Sequence, residues 1–161
     1  MIVAVSIGSN LGDRPAHLKF ACDRLERILT NLRVSTSRET EPVGSAVVQP
    51  AFLNAAAVAE TALSAQDLLQ ALLAIERERG RERPFPGAPR TLDLDLILFG
   101  DCVITRPQLA VPHPRFRERR FVLEPLAEIA PELRDPLTKK TVGELLAALM
   151  LQTPGAEARR R

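Results

Sequence analysis

The run Leu92–Phe99, reading LDLDLILF, constrains this chain more than any other stretch. It alternates and then turns wholly apolar, the pattern of a largely buried β-strand. On a strand, residues two apart share a face. Asp93 and Asp95 therefore point the same way, with Cβ atoms roughly 6–7 Å apart from the strand rise. Leu92, Leu94, Leu96 and Leu98 are expected to point the other way, into a core. Two like charges on one sheet face repel unless a cation lies between them. Carboxylates so spaced suit one or two Mg²⁺ ions, which keep waters and take further ligands from substrate phosphates. The competing explanation is a pair of solvated acids on an exposed strand.

Just upstream stand Arg81, Arg83 and Arg90, around a loop holding Pro84, Phe85, Pro86, Gly87 and Pro89. Guanidinium forks match phosphate oxygens and keep their charge. Beside two aspartates, this loop reads as a lid over phosphates as readily as a solvated surface loop. Downstream, His113 sits between Pro112 and Pro114 and is followed by Arg115, Arg117, Arg119 and Arg120. Flanking prolines present the imidazole for phosphate binding or proton transfer, although a plain turn histidine fits as well. His17 falls on an ordinary helix and reads as structural or solvated.

These clusters matter more than the total charge. A net charge of +2 over 161 residues gives no case for nucleic acid, whereas local arginine suits a small anion. The length fits one domain with a full core, and 45% apolar with 26% charged residues is ordinary for a globular protein. Cys22 and Cys102 form no CxxC pair, so a reducing cytoplasm is the expected compartment. Met1–Ile7 has neither the basic lead nor the apolar length of a signal peptide. No stretch approaches a membrane span.

Along the chain, Ile2–Ile7 reads as a central strand and Gly8–Gly12 as a turn. Asp13 is placed to cap a helix with Pro15 in its first turn and Leu18, Ala21, Cys22, Leu25, Ile28, Leu29 and Leu32 inward. Val34–Thr40 is expected as one strand and Phe52–Thr61 as the next. Ser64–Asp67 starts a helix that runs to about Arg79 and stops at Gly80. After the Asp93 strand, Val103–Ala110 reads as irregular, broken by Pro107. Phe121–Ile129 reads as a short helix containing Pro125. Thr141 and Glu144 form a capping box for a last helix of about ten residues. The order is βαββαβ with C-terminal helical additions: an α+β, ferredoxin-like sandwich with an antiparallel sheet. The helices are expected on one sheet face, leaving the aspartates on an open one. Residues 1–152 read as a single domain and 153–161 as a disordered tail.

Two features remain. The chain has six phenylalanines and no tryptophan or tyrosine. Phe52 and Phe121 could sandwich a flat ring, with Asn54 reading its edge, although each phenylalanine taken singly suits a core. A buried amide such as Asn54 needs partners. There is no GxxxxGK[ST] motif, so a nucleotide site would use another architecture.

Together, IGSNLG at 7–12, FLNA at 52–55, PRTLDLDL at 89–96, VPHP at 111–114 and PLAEIAP at 125–131 resemble one family. It is the 6-hydroxymethyl-7,8-dihydropterin pyrophosphokinases of folate biosynthesis, and the likeness runs from about Ile2 to Leu151. The resemblance implies a ferredoxin-like fold, usually monomeric, that transfers pyrophosphate from ATP to a reduced pterin and releases AMP. It implies two Mg²⁺ held by Asp93 and Asp95, and phosphate-binding Arg81 and Arg90 on a mobile catalytic loop with Arg83. It implies pterin stacking on Phe52 and Phe121, with Asn54, Thr40 and the backbone near Pro42 and Val43 at the ring edge. Glu76, His113 and Arg119 match ATP-side positions, and Leu96 a backbone contact to adenine.

Three positions depart from the family pattern. Where some members carry a loop tryptophan, this chain has Phe85–Ala88. Pro114 replaces an aromatic residue, and Glu41 stands where proline is common. Two rivals are a different Mg²⁺-dependent nucleotidyl or phosphoryl transferase on the same fold and a non-enzymatic ligand-binding module.

Overall fold

The computed structural model describes residues 1–40, 51–80 and 91–152. Their elements are β1 (Ile2–Ser9), α1 (Arg14–Ile28), β2 (Thr30–Val34), β3 (Arg38–Thr40), β4 (Phe52–Glu60), α2 (Ala65–Glu78) and β5 (Asp93–Phe99). There follow β6 (Ile104–Arg106), β7 (Leu109–Val111), a 3₁₀ turn (Phe116–Glu118), α3 (Arg120–Ile129) and α4 (Val142–Met150). The main sheet runs β2-β4-β1-β5, with β3 also on β4, and the pairs are antiparallel. With β2 and β3 taken as one interrupted strand, this is the ferredoxin-like βαββαβ order. Helices α1, α2 and α4 start at caps that form as expected. The Asp13 carboxylate accepts from Ala16 N–H, Ser64 Oγ from Asp67 N–H, and Thr141 and Glu144 close a capping box.

One expected strand, Val34–Thr40, is two. It begins earlier, at Thr30, and the register on β4 slips by one residue between Val34↔Ala57 and Arg38↔Asn54. At the break, Ser35 exchanges backbone and hydroxyl bonds with Ala56. A serine hydroxyl competing for backbone groups is a local signal for such an interruption. The stretch 103–110 is not irregular either: β6 and β7 form a hairpin that turns at Pro107 and Gln108. Proline fits there because a turn position needs no ladder donor.

Both faces of the sheet are covered, against the expectation of one open face. Leu18, Ala21 and Leu25 of α1 and Leu68, Leu72 and Ile75 of α2 pack with Val3, Val5, Ile7, Leu94 and Leu96. Val122 and Leu126 of α3 and Leu145 and Leu149 of α4 pack with Ala4, Ala56, Val58, Ile97 and Leu98. Small alanines along β4 let helices sit close on both sides. Leu98 is thus on the opposite face from Leu94 and Leu96. The reason is a bulge: β1 pairs Val5 with Leu96 but Ala4 with Leu98, so Ile97 falls between them. A bulge adds a residue and reverses the alternation beyond it.

Candidate active site

The second sheet face changes character along its length. One cross-strand row holds Val58, Ala4 and Leu98, and the next holds Ala56, Ser6 and Asp95. The third runs Arg38, Asn54, Gly8 and Asp93. Strands lie about 4.8 Å apart, so Asn54 and Asp93 stand about 10 Å apart across Gly8. Gly8 contributes no side chain, which leaves bare backbone between an amide and a carboxylate. Helices α3 and α4 cover the apolar row, and the polar row is left for other groups.

Two cavities open at this polar end. The first, about 170 Å³, is lined by Arg38, Glu39, Thr40, Asn54, Arg120, Phe121, Glu124 and Pro125. Asn54 is only 1% exposed. Its Nδ2 donates to Thr40 Oγ1 at 2.6 Å, while its Oδ1 has no hydrogen-bond partner among the described residues. Leaving a buried acceptor unsatisfied costs about 1–3 kcal/mol, so this atom faces a place meant for a donor. Phe52 pairs with Thr40 across β3 and β4, on the face that carries Asn54, and both Phe52 and Phe121 are buried. The Arg119 guanidinium lies 5.6 Å from the Phe121 ring centre.

The second cavity, about 300 Å³, wraps the free edge of β5 and is lined by Glu76, Asp93, Asp95, Leu96 and His113 among others. Asp93 is buried and Asp95 half-buried, with both on the same sheet face as the spacing predicts. The β5 edge is held at two points. The Glu76 carboxylate accepts from Leu94 N–H at 2.7 Å, and Ile97 C=O accepts from His113 N–H at 2.8 Å. The bulge residue therefore anchors the histidine loop.

His113 Nδ1 accepts from Arg115 N–H at 3.1 Å, which leaves the ring proton on Nε2. Burial foremost, then the charges of Arg119 and Arg115, lower its pKa to about 4 against the opposing pull of Asp93. At neutral pH, His113 is an uncharged donor and holds no acidic proton to give. Burial also lowers the Arg119 pKa, and the charges of Asp95 and Asp93 partly restore it. The Arg119 cation is thus coupled by charge to both aspartates.

Thr40, Asn54 and Phe121 thus meet at the first cavity, with Phe52 on the same sheet face. Glu76, Asp93, Asp95, Leu96 and His113 meet at the second, with Arg119 linking the two by its charge and its ring contact. Pro42, Val43, Arg81, Arg83 and Arg90 lie outside the described residues. His17 is part-exposed and structural: its Nδ1 accepts from Arg79 Nε at 2.8 Å, tying α1 to the end of α2. Sequence reasoning passed over Arg38 and Glu124 as cavity residues. The cross-strand register on Asn54 was the signal for Arg38, and Glu124 follows Phe121 on the helix after Arg120. Among the described residues, no three metal-ligating side chains cluster, so a cation here would rest on the two aspartates and on ligands from elsewhere.

A ferredoxin-like α+β sandwich with a ring-sized cavity and a carboxylate cleft on one sheet face is the build of a small-molecule transferase. The comparisons name the kind. Residues 4–131 match the family model of 7,8-dihydro-6-hydroxymethylpterin-pyrophosphokinase, HPPK, and the chain belongs to that family. It is 45% identical over 148 residues to the 2-amino-4-hydroxy-6-hydroxymethyldihydropteridine pyrophosphokinase of Pseudomonas aeruginosa, covering 91% of this chain and 90% of that one. It is 43% identical over 139 residues to the Bacillus subtilis protein of the same name, covering 85% and 83%. Among solved structures, wild-type HPPK-DHPS of Plasmodium falciparum superposes with a TM-score of 0.74 at 14% identity, which bears on the fold. That match covers 94% of this chain but 45% of the longer Plasmodium chain.

Proposed function

We propose that the chain transfers a diphosphate group from ATP to the hydroxymethyl oxygen of 6-hydroxymethyl-7,8-dihydropterin, releasing AMP in folate biosynthesis. The observation that carries this reading is the row Asn54–Gly8–Asp93. A hydrogen-bonding site for a flat ring and a carboxylate site stand on one sheet face, with no side chain of that row between them. The pterin ring occupies the first cavity against Phe121 and Phe52, with Asn54 and Thr40 at its edge. Pro42 and Val43 join them by family likeness. ATP lies along β5, near Glu76, Leu96, His113 and Arg119, with Arg81, Arg83 and Arg90 on its phosphates by the same likeness.

The hydroxymethyl oxygen forms a bond to the β-phosphorus as the bond from that phosphorus to the α–β bridging oxygen breaks. The hydroxyl proton leaves to water, and AMP carries away the bridging oxygen. The residues contribute placement and charge. Phe52 and Phe121 fix the ring plane, and Asn54 its rotation in that plane. The His113 Nε2–H and the Arg119 cation donate to phosphate oxygens that gain charge. Asp93 and Asp95 fit a hard divalent cation: both are oxygen donors on one face, and two ligands from protein is the number Mg²⁺ takes when phosphates and water supply the rest. Two bound Mg²⁺ would supply charge neutralisation along the polyphosphate.

Residues 1–152 act as one domain, as a monomer in the cytoplasm, on small-molecule substrates. No described helix is long and apolar enough to cross a membrane. AMP release from ATP, Mg²⁺ and 6-hydroxymethyl-7,8-dihydropterin tests the proposal. Pterin-dependent AMP is the expected product, and ADP in its place, or no nucleotide product, overturns the reading.

A further inference from the structure

Arg38 stands in the same cross-strand row as Asn54 and lines the same cavity. One side of its guanidinium is held: Nη2 donates to Glu128 Oε1 at 2.8 Å, and Glu128 is itself steadied by Thr36 N–H and Oγ1. The other side is not. Among the described residues Nη1 is buried without a hydrogen-bond partner, like Oδ1 of Asn54, its cross-strand partner. A guanidinium offers donors only, in a rigid planar fork, so fixing Nη2 fixes where Nη1 points. Cross-strand neighbours bring their Cβ atoms to about 5 Å. One cross-strand pair therefore gives the cavity lining one donor and one acceptor without partners among the described residues, the donor held in place through Nη2 and the acceptor through the Asn54–Thr40 bond.

The complement of that pair is a ring carbonyl adjacent to a ring N–H, the edge of a lactam. We propose that Arg38 is a specificity-determining residue that, together with Asn54, selects a 4-oxo heterocycle over a 4-amino one. The inference rests on the reading of this cavity as the pterin site. Asn54 Oδ1 accepts from the ring N–H, and Arg38 Nη1 donates to the neighbouring carbonyl oxygen. A 2,4-diaminopteridine presents the reverse pattern, a bare ring nitrogen and an amino group. It would set a lone pair against Oδ1 and an N–H against the guanidinium. Polar mismatch in a buried site is a stronger discriminator than shape, because it leaves protein groups unpaired.

Isothermal titration tests this with 6-hydroxymethylpterin and 2,4-diamino-6-hydroxymethylpteridine, using the full chain with Mg²⁺ and a non-transferable ATP analogue throughout. The unaltered chain is expected to prefer the oxo ring. Arg38→Met keeps the length and removes the donors, so the oxo ring should weaken about tenfold or more while the diamino ring does not. Glu128→Gln keeps Arg38 in place with a weaker tether and should shift both ligands alike, by less than about threefold.

Equal weakening of both rings by Arg38→Met would show that Arg38 only braces β3 against α3, and the inference falls. It falls equally if Arg38→Met changes neither affinity. If the unaltered chain binds neither ring and yields no AMP, the pterin reading itself is what fails. Circular dichroism of Arg38→Met guards against misfolding, and Arg38→Lys, which restores a cationic donor, should recover part of the oxo preference.

Discussion

The two ends of the α3/α4 sheet face are made by the same three strands and differ by two steps along each. At one end, Val58, Ala4 and Leu98 lie under α3 and α4. At the other, Asn54, Gly8 and Asp93 face cavities. The apolar row gains stability by leaving water. The polar end keeps a buried amide oxygen without a hydrogen-bond partner among the described residues and sets two carboxylates on one face in adjacent rows, arrangements that favour a ligand or cation beside them. The contrast separates the part of the face that holds the protein together from the part proposed to bind.

That division can be broken at its polar end first. Asp95→Ala is expected to lower kcat by roughly 10²–10³-fold or more while the thermal midpoint stays within a few degrees; Mg²⁺-dependent turnover at the unaltered rate would sink the metal assignment. The mirror test is Leu126→Ala, which removes a fully buried side chain over the apolar row. Urea unfolding should show a loss of about 2–5 kcal/mol, with kcat per folded molecule nearly unchanged. A kinetic defect without a stability defect would erase the distinction between the two ends.

Asn54→Ala should raise the pterin KM about 10–100-fold, since it removes a buried hydrogen-bonding group from the ring site, and should leave the ATP KM nearly unchanged. An ATP defect of equal size would mean that the cavities are not separate subsites. Thr141→Ala removes the capping box of α4, at the apolar end, and should cost about 1 kcal/mol with no effect on either KM.

The smallest effect is in pH dependence. The folded chain holds the His113 pKa near 4, below its ordinary value of 6.5, so the unfolded chain binds the extra proton first as pH falls. His113 thus contributes stability that is fully present above pH 6.5 and is lost as pH drops towards 4. The slope of unfolding free energy against pH in that window should be shallower in His113→Gln; an identical slope contradicts the burial argument. His17, also lowered by burial and by Arg79, titrates in the same direction, which is why the comparison is made between variant and parent.

A different acid governs the range below. Burial alone would raise the Asp135 pKa. The Arg117 guanidinium, the Thr138 hydroxyl and the Leu137 N–H together outweigh it and hold the pKa at about 2. Its contribution is present above the ordinary 3.8 and is lost as pH falls through 2. Asp135 lies in the loop between α3 and α4 and Arg117 in the 3₁₀ turn before α3, so this acid loosens the apolar end and not the candidate site.

Much of the site was legible in the sequence because strand alternation is a local property. The shared face of Asp93 and Asp95 follows from the pleat alone, and caps at Asp13, Ser64 and Thr141 follow from side chains reaching backbone three residues away. What failed to read locally was set by pairing. The bulge at Ile97 is visible only against β1. It moves Leu98 to the other face and offers the carbonyl that holds His113. The hairpin β6–β7 was hidden because Pro107 looks like a breaker until its turn position is known. The covering of the second face was hidden because a strand's pattern says which residues are buried, not which helix buries them.

The sequence by itself determined the helices and the central strands of the main sheet, the shared face of the paired aspartates and, through several motifs in order, the family. Tertiary structure decided what stands next to what. The Asn54–Gly8–Asp93 row joins residues from three strands far apart in the chain, and Arg38 enters the ring cavity only through its register on β4. Periodicity acts over a few residues and is written in the order of side chains. Register, bulges and the closing of one sheet face by α3 and α4 depend on contacts between distant segments, whose burial and hydrogen bonding no single segment can specify.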